Sequence, residues 1–259
     1  IYLDSKEHLL CFKNGIIDFN ETDKSRMFRK GYPEDEISMC TGINYIHLNP
    51  IAHKSIIDEV NEFMSQLFPV KEIRDYMWQH LASTLIGYQR EESFNMYIGK
   101  GRNGKSKLID LMKMVVGDYK SDVPIALVTE KRTKLGGCAP EIQNLKGVRF
   151  AVISEPSKGD RLNDGAMKML TGGDIIEGRG LWQEKATKFK PQFKLAVCSN
   201  QFMEIKSNDD GTWRRIRVID FVSKFTENPR NDDPDYPYQF LVDSKIHEKF
   251  ERKIGRAHV

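Results

Sequence analysis

The stretch Gly99-Lys100-Gly101-Arg102-Asn103-Gly104-Lys105-Ser106 constrains this chain more than any other feature. It fits the pattern GxxxxGK[ST] and stands between an apolar β-type run, Phe94 to Ile98, and a helical pattern, Lys105 to Val116. The flanks matter more than the string. A strand must deliver the loop, glycines must let backbone N–H groups curl around a phosphate, and a helix must begin at the far end with its positive dipole end toward the anion. On that reading Gly99, Gly101, Asn103 and Gly104 shape the loop, Lys105 reaches the terminal phosphates and Ser106 is placed to bind magnesium. A Gly-rich turn before a helix also occurs in folds that bind no phosphate, but here both flanking elements agree with a nucleoside-triphosphate site.

Beyond residue 92 short apolar runs alternate with helical patterns, the signature of an α/β sheet with crossover helices. The expected strands are Phe94 to Ile98, Val148 to Ser154, Phe193 to Ser199 and Ile216 to Phe221, and the expected helices Lys105 to Val116 and Asp164 to Leu170. The first 50 residues mix short β runs with turns, and Asn14-Gly15 between Leu9 to Phe12 and Ile16 to Phe19 predicts a hairpin. Helical spacing over Ser55 to Phe68, and again from Ile73 to Leu85 after Pro69, predicts two packed helices. Gly87 and Gln89-Arg90-Glu91-Glu92 then mark a boundary. Three units are therefore expected: 1–90, a small mainly helical domain with a short hairpin; 91–225, the α/β core; and 226–259, a tail or the start of a further domain. Within the last, Asn228 to Pro237 predicts a surface connection before a short helix around Leu241 to Lys253.

With 259 residues, 39% of them hydrophobic, the chain can bury one full core and a smaller one, which excludes disorder as the dominant state. A net charge of +3 identifies no partner by itself, yet residues 91–225 hold 24 Lys and Arg against 17 Asp and Glu. Cys11, Cys40, Cys138 and Cys198 form no CxxC pair and have no companion His at metal-ligand spacing, so they read as reduced thiols in a reducing compartment rather than zinc ligands. No apolar run approaches the ~20 residues of a membrane span and no signal peptide is visible, so a soluble, intracellular protein without a membrane partner is expected. Opening on Ile1 and stopping at Val259, the sequence reads as a piece of something longer.

Four further elements carry chemistry. Arg149 to Glu155 is an apolar run ending in an acid, which a phosphate-binding loop needs on a neighbouring strand to hold magnesium or polarise water; such an acid is otherwise a cap or a surface group. Lys194 to Asn200 ends in an uncharged polar residue. In ring-forming ATPases such a side chain, at the tip of the strand between the two phosphate-binding strands, positions the attacking water, although Asn200 can also simply start a turn. Asp209 to Phe221 contains Arg214, Arg215 and Arg217 at a strand start. One of these could serve a neighbouring subunit as an arginine finger, and each could equally bridge nearby acids such as Asp209 and Asp210. Thr171 to Trp182, followed by Lys185, Lys188, Lys190 and Lys194, reads as a basic hairpin. It could grip a phosphodiester backbone or merely keep an edge strand soluble, with Lys131, Arg132 and Lys134 as the alternative grip.

In this order the P-loop, Ala151 to Pro156, Leu170-Thr171-Gly172-Gly173-Asp174, Ser199-Asn200 and Gly211-Thr212-Trp213-Arg214-Arg215 resemble the superfamily 3 helicases. The likeness is strongest to the motor at the C-terminal end of primase-helicases of poxviruses, other large DNA viruses and some phages. It covers about residues 92–225, and Asn14 to Asp18, the stretch from Ile37 to Tyr45 and the helical pair look like the domain preceding that motor. The resemblance implies an AAA+ type P-loop core with a central parallel sheet and an inserted β-hairpin. It also implies ATP and Mg2+ as cofactors, a homo-hexameric ring and single-stranded DNA threaded through it, with replication proteins such as a primase or polymerase as partners and the host cytoplasm as location. By analogy Lys105 and Ser106 bind phosphate and magnesium, Glu155 is the second Walker B acid, Asn200 is sensor 1, Arg215 in preference to Arg214 is the finger, and Lys185 with Lys188 contacts DNA. Many members have two consecutive acids where this chain has Ser154-Glu155, which leaves magnesium chiefly to Ser106, ATP and water. The rival expectation is a P-loop ATPase that remodels protein partners, or a small-molecule kinase, without nucleic acid.

Overall fold

The computed structural model describes residues 3–129, 140–154, 156, 159–179, 186–230 and 232–253. The chain begins with the predicted hairpin: β1 (Leu9–Phe12) pairs antiparallel with β2 (Gly15–Asp18), Phe12 facing Gly15 across a Lys13-Asn14 turn. β3 (Phe28–Arg29) adds a third strand against β2. The Asn14 amide accepts from Tyr45 N at 2.8 Å and donates to Tyr45 O at 2.9 Å, tying the turn to a distant loop.

α1 (Lys54–Leu67) and α2 (Lys71–Ser83) follow, within two residues of the starts that their apolar spacing predicts, with Pro69 between them. They bury Phe63, Met64 and Leu67 on one helix and Met77, His80 and Leu81 on the other.

The central layer is built in chain order from β4 (Phe94–Ile98), α3 (Lys105–Val116), β5 (Lys120–Val123), the short α4 (Ala126–Thr129) and α5 (Pro140–Gln143), β6 (Phe150–Ser154) and α6 (Asp164–Thr171). Then come the antiparallel pair β7 (Ile176–Gly178) and β8 (Thr187–Phe189), followed by β9 (Lys194–Ser199), the one-turn α7 (Asp210–Trp213) and β10 (Ile216–Asp220). Five strands form one parallel sheet in the order β10-β4-β9-β6-β5. Of these five strands, β5 is the one that periodicity does not predict. Its sequence, Lys-Ser-Asp-Val, buries only Val123, and as an edge strand it pairs with β6 alone.

Both faces of the sheet are covered, as a parallel sheet requires. Along β4 the side chains alternate. Tyr97 joins a cluster with Phe12, Phe63, Leu67, Leu108 and Phe221, while Phe94, Met96 and Ile98 join another with Val128, Ile142, Met167 and Leu170. At roughly 1.5–3 kcal/mol per large side chain removed from water, these clusters dominate the energetics. The first of them unites β1, α1 and α2 with the sheet, so segments on both sides of residue 91 share one core.

Polar anchors fix that arrangement. Tyr76 donates its hydroxyl to Asn95 Oδ1 at 2.6 Å, joining α2 to the buried middle of β4. Arg149, 2% exposed, donates to the carbonyls of Glu7 at 2.7 Å, Leu9 at 3.0 Å and Lys6 at 3.3 Å, and lies 5.8 Å from the Tyr119 ring centre. Gly87 is required here because a Cβ would stand 1.7 Å from Arg149 Nη1.

His80 is stacked on Tyr76 and lies edge-on to Tyr97 and Phe150. Burial, and to a smaller extent Lys194, holds its pKa down at about 4 against an ordinary 6.5. The native state therefore keeps His80 neutral where the unfolded chain takes up a proton. This contribution to stability is complete above about pH 6.5 and is lost as the pH falls toward 4, by up to about 1.4 kcal/mol per unit. Urea titrations at pH 7 and pH 5 are expected to show a smaller loss for His80→Phe than for the wild type; equal losses would contradict the assignment.

After β10 the chain adds the parallel pair β11 (Lys224–Thr226) and β12 (Gln239–Leu241), then α8 (Ile246–Lys253). Leu241, expected to open the last helix, instead ends β12. Val242 N bonds to Thr226 O, and the Asp243 carboxylate accepts from Lys245 N at 2.9 Å just before the helix, so the helix begins five residues later. Among the described residues no helix is long and apolar enough to cross a membrane.

Candidate functional site: a glycine-rich loop at the strand tips

The parallel register brings three strand ends together. Ile98 on β4 lies beside Ser199 on β9, and Cys198 of β9 lies beside Ser154 on β6. β9 is thus the strand between the other two, as the position of Asn200 requires. Gly99 to Gly104 leave the tip of β4 and α3 starts at Lys105, so the helix N-terminus, whose first N–H groups have no intrahelical partner, opens onto the same end of the sheet.

The loop conformation explains its residue types. Gly104 sits at φ +83°, and a Cβ there would come within 2.3 Å of Leu67 Cδ2, so both backbone sign and contact with α1 demand glycine. At Gly99 a Cβ would stand 2.3 Å from Asn103 Nδ2 and 2.9 Å from Phe221 O. Gly101 is exposed, and a Cβ there would meet no described residue within 4 Å. Asn103, 4% exposed, accepts from Lys105 N at 3.3 Å, and among the described residues its Nδ2 has no hydrogen-bond partner. Arg102 takes φ +57°, and its carbonyl accepts from Phe225 N at 2.8 Å, so β11 tethers the loop from outside.

Lys105 has a structural part that its sequence position does not reveal. Only 9% exposed, it donates its ammonium to Gly99 O, to Ser199 O at 2.9 Å and to Asn200 Oδ1 at 3.4 Å. It therefore ties the tip of β4 to the tip of β9 and brings Asn200 to the loop. Ser106, on the first turn of α3, and Asn200 are both exposed. An unpartnered buried amide in Asn103, a lysine among the strand tips and a solvent-facing serine one residue later are the donor types that a nucleoside triphosphate and its magnesium need, so the residues present fit these groups. Glu155 lies outside the described residues; Ser154 before it ends β6 and is exposed.

The arginines sit elsewhere. β10 runs parallel to β4 with Ile216 beside Phe94 and Asp220 beside Ile98, so Arg214 and Arg215 flank the start of the sheet and the loop flanks its end. Four residue steps, about 13 Å of strand, separate the two ends. This is farther than an arginine side chain reaches. Both guanidiniums pair with Glu92 at 2.6 Å, and Arg215 also donates to Gly211 O at 2.7 Å. Arg215 is 11% exposed, whereas Arg214 is 64% exposed. The acid that holds them is therefore Glu92, more than a hundred residues away, and not Asp209 or Asp210. Asp209 instead caps α7 through Thr212 N at 3.1 Å and pairs with Lys168. No local signal marks Glu92 for this task.

The hairpin stem is present as β7 and β8, with Glu177 opposite Lys188 and their charges 3.7 Å apart. Lys188 is 70% exposed. Lys185 lies outside the described residues, as do Lys131, Arg132 and Lys134. Two of the lysines read as part of the basic hairpin do not belong to it. Lys190 pairs with Glu7 at 2.8 Å, and Lys194, 6% exposed at the start of β9, donates to Tyr88 O, its pKa lowered to about 8 by burial. Both fasten the N-terminal segment to the core.

The fold is an α/β architecture consistent with a P-loop helicase core, with the loop, its lysine and the β9 tip at one end of a parallel sheet. Sequence relatives agree. The chain is 41% identical over 226 residues to "Putative helicase" of Acanthamoeba polyphaga mimivirus, a match covering 87% of this chain and 23% of that protein. It is 32% identical to "Putative helicase" of Invertebrate iridescent virus 6, over 98% of this chain and 27% of the relative. It is 29% identical to "Putative primase" of African swine fever virus, strain Badajoz 1971 Vero-adapted, over 95% of this chain and 25% of the relative. Homologues of the chain are thus proteins of large DNA viruses that carry helicase and primase names, and the chain spans about a quarter of their length. No family model matches it. Among solved structures, the NrS-1 C terminal region shares the fold, with a TM-score of 0.54 at 14% identity over 83% of this chain and 45% of that one.

Proposed function

We propose that this chain is the ATP-hydrolysing motor of a viral helicase or primase-helicase of the superfamily 3, AAA+ type, working as a hexameric ring on single-stranded DNA at replication sites in the host cytoplasm. One observation carries the reading: the loop with Lys105 and the pair Arg214 and Arg215 stand at opposite ends of one sheet, which supports a role for these arginines at the nucleotide site of a neighbouring copy rather than their own. A kinase acting as a monomer has no use for that division.

In this account Gly99 to Gly104 and the start of α3 cradle the phosphates, Lys105 leaves the strand-tip carbonyls for phosphate oxygens, and Ser106 holds the magnesium. Bound ATP supplies the phosphoanhydride bond, and Mg2+ neutralises charge on its phosphates. Asn200 orients water at the β9 tip and Glu155 acts as base. Of the two arginines, Arg214 is the better finger, because Arg215 is largely buried and held by Gly211 as well as Glu92. Lys188 on β8, with Lys185 before it, contacts the DNA backbone, where cationic side chains bind phosphate without reading sequence.

ATP turnover with and without single-stranded DNA tests the motor against the remodelling and kinase readings. The wild type is expected to hydrolyse several-fold faster on DNA. The Lys185→Ala/Lys188→Ala variant is expected to lose that acceleration and to bind every DNA sequence more weakly, with a salt slope flatter by about 1.4. Wild-type turnover indifferent to DNA would overturn the motor reading, and a double variant accelerated like the wild type would move the DNA grip off this hairpin.

A further inference from the structure

Cys11 and Cys40 are neighbours in space although 28 residues lie between them, and the nucleotide site uses neither. The Cys40 sulfur stands close enough to Cys11 to raise the pKa of that thiol; it accepts from Gly42 N at 3.3 Å, and the Cys11 thiol donates to Phe12 O at 3.5 Å. What sets this pair apart is how completely its backbone is fixed. Cys11 N donates to Tyr119 Oη at 3.1 Å and Cys11 O accepts from Thr41 N at 2.9 Å. Cys40 N donates to the Asp118 carboxylate and Cys40 O accepts from Asp118 N, both at 3.0 Å. Tyr119 closes the frame by donating to Met39 O at 3.1 Å. The approach is close enough that a Cβ on Gly117, at φ +54°, would stand 2.2 Å from Thr41 O. Each cysteine is also partly open to solvent. Two accessible thiols are therefore held side by side by a rigid framework, which is what a disulfide with defined geometry requires.

We propose that Cys11 and Cys40 are an oxidation site, closing to an intramolecular disulfide when the chain meets a low-molecular-weight disulfide such as oxidised glutathione. The exchange balances without a metal or flavin. The sulfur of Cys40, as thiolate, attacks one sulfur of the small disulfide, forming a mixed disulfide and releasing one small thiol. Cys11 then loses its proton and attacks the Cys40 sulfur, displacing the second small thiol. The protein gives up two electrons and two protons, and the small disulfide becomes two thiols. Cys40 goes first because burial, then Cys40 itself, Asp35 and Asp4, push the Cys11 thiol up to about 11 and keep it protonated. The bond staples β1 to the segment docked on the turn that follows α3, and it closes a loop in the unfolded chain.

The test uses the full chain, incubated with oxidised glutathione or with dithiothreitol. Free-thiol titration is expected to fall from four per chain to two, and non-reducing peptide mapping to show a Cys11–Cys40 linked peptide lighter than its parts by two hydrogens. Tm is expected to rise by several degrees and to return on reduction. Cys11→Ser is expected to stop at a stable glutathione adduct on Cys40. Glutathione persisting on Cys40 of the wild type, or a link involving Cys138 or Cys198 instead, would overturn the proposal; because the mapping is done on the wild type, a variant that misfolds does not affect it.

Discussion

If the proposed function holds, Lys105→Met is expected to lower ATP turnover by at least about a thousandfold, because it removes the ammonium to which that reading gives the terminal phosphates. The structure adds a second consequence. The ammonium donates to Gly99 O, Ser199 O and Asn200 Oδ1, so its loss leaves two strand-tip carbonyls without that donor, at a cost of about 1–3 kcal/mol. Methionine keeps the length of the apolar stem, whereas Lys105→Ala also opens a gap beside the loop. Turnover should therefore be compared at matched folded fraction, with urea melts alongside. A folded Lys105→Met chain that hydrolyses ATP at the wild-type rate would remove the basis for the phosphate-binding assignment.

The elements that sequence patterning makes legible are those whose own residues carry the signal. β4 and α3 run between the bounds that their apolar runs predict, and β6, β9, β10 and α6 fall within two residues of theirs. β5 and β12 escape because each has a single buried or half-buried apolar stripe too short for a period, and their pairing comes from distant strands. The same division holds at the site. The loop glycines and Lys105 are visible as a motif because they stand together in one short stretch of chain, in a pattern fitted to phosphate binding. Contacts that cross the chain are not visible in that way: Glu92 holding two arginines, Arg149 serving three carbonyls near the N-terminus, and Lys105 joining two strand tips. The lysines from β8 onward show the converse error. Charge alone suggested one basic surface, but burial divides it, since Lys194 is a core anchor and Lys188 a surface cation.

The central claim is that each nucleotide site is completed by a neighbouring copy, and mixing two inactive variants tests it most directly. Arg214→Ala retains the loop and lacks the finger, while Lys105→Met retains the finger and lacks the loop lysine. Neither is expected to hydrolyse ATP alone. In a ring assembled from equal amounts of both, random pairing places an intact Lys105 opposite an intact Arg214 at about one interface in four. ATP turnover is therefore expected to peak near equal mixing and to reach up to about a quarter of the wild-type rate. A mixture that never exceeds the sum of its two components at any ratio, although the two chains are shown to co-assemble, would contradict the shared site.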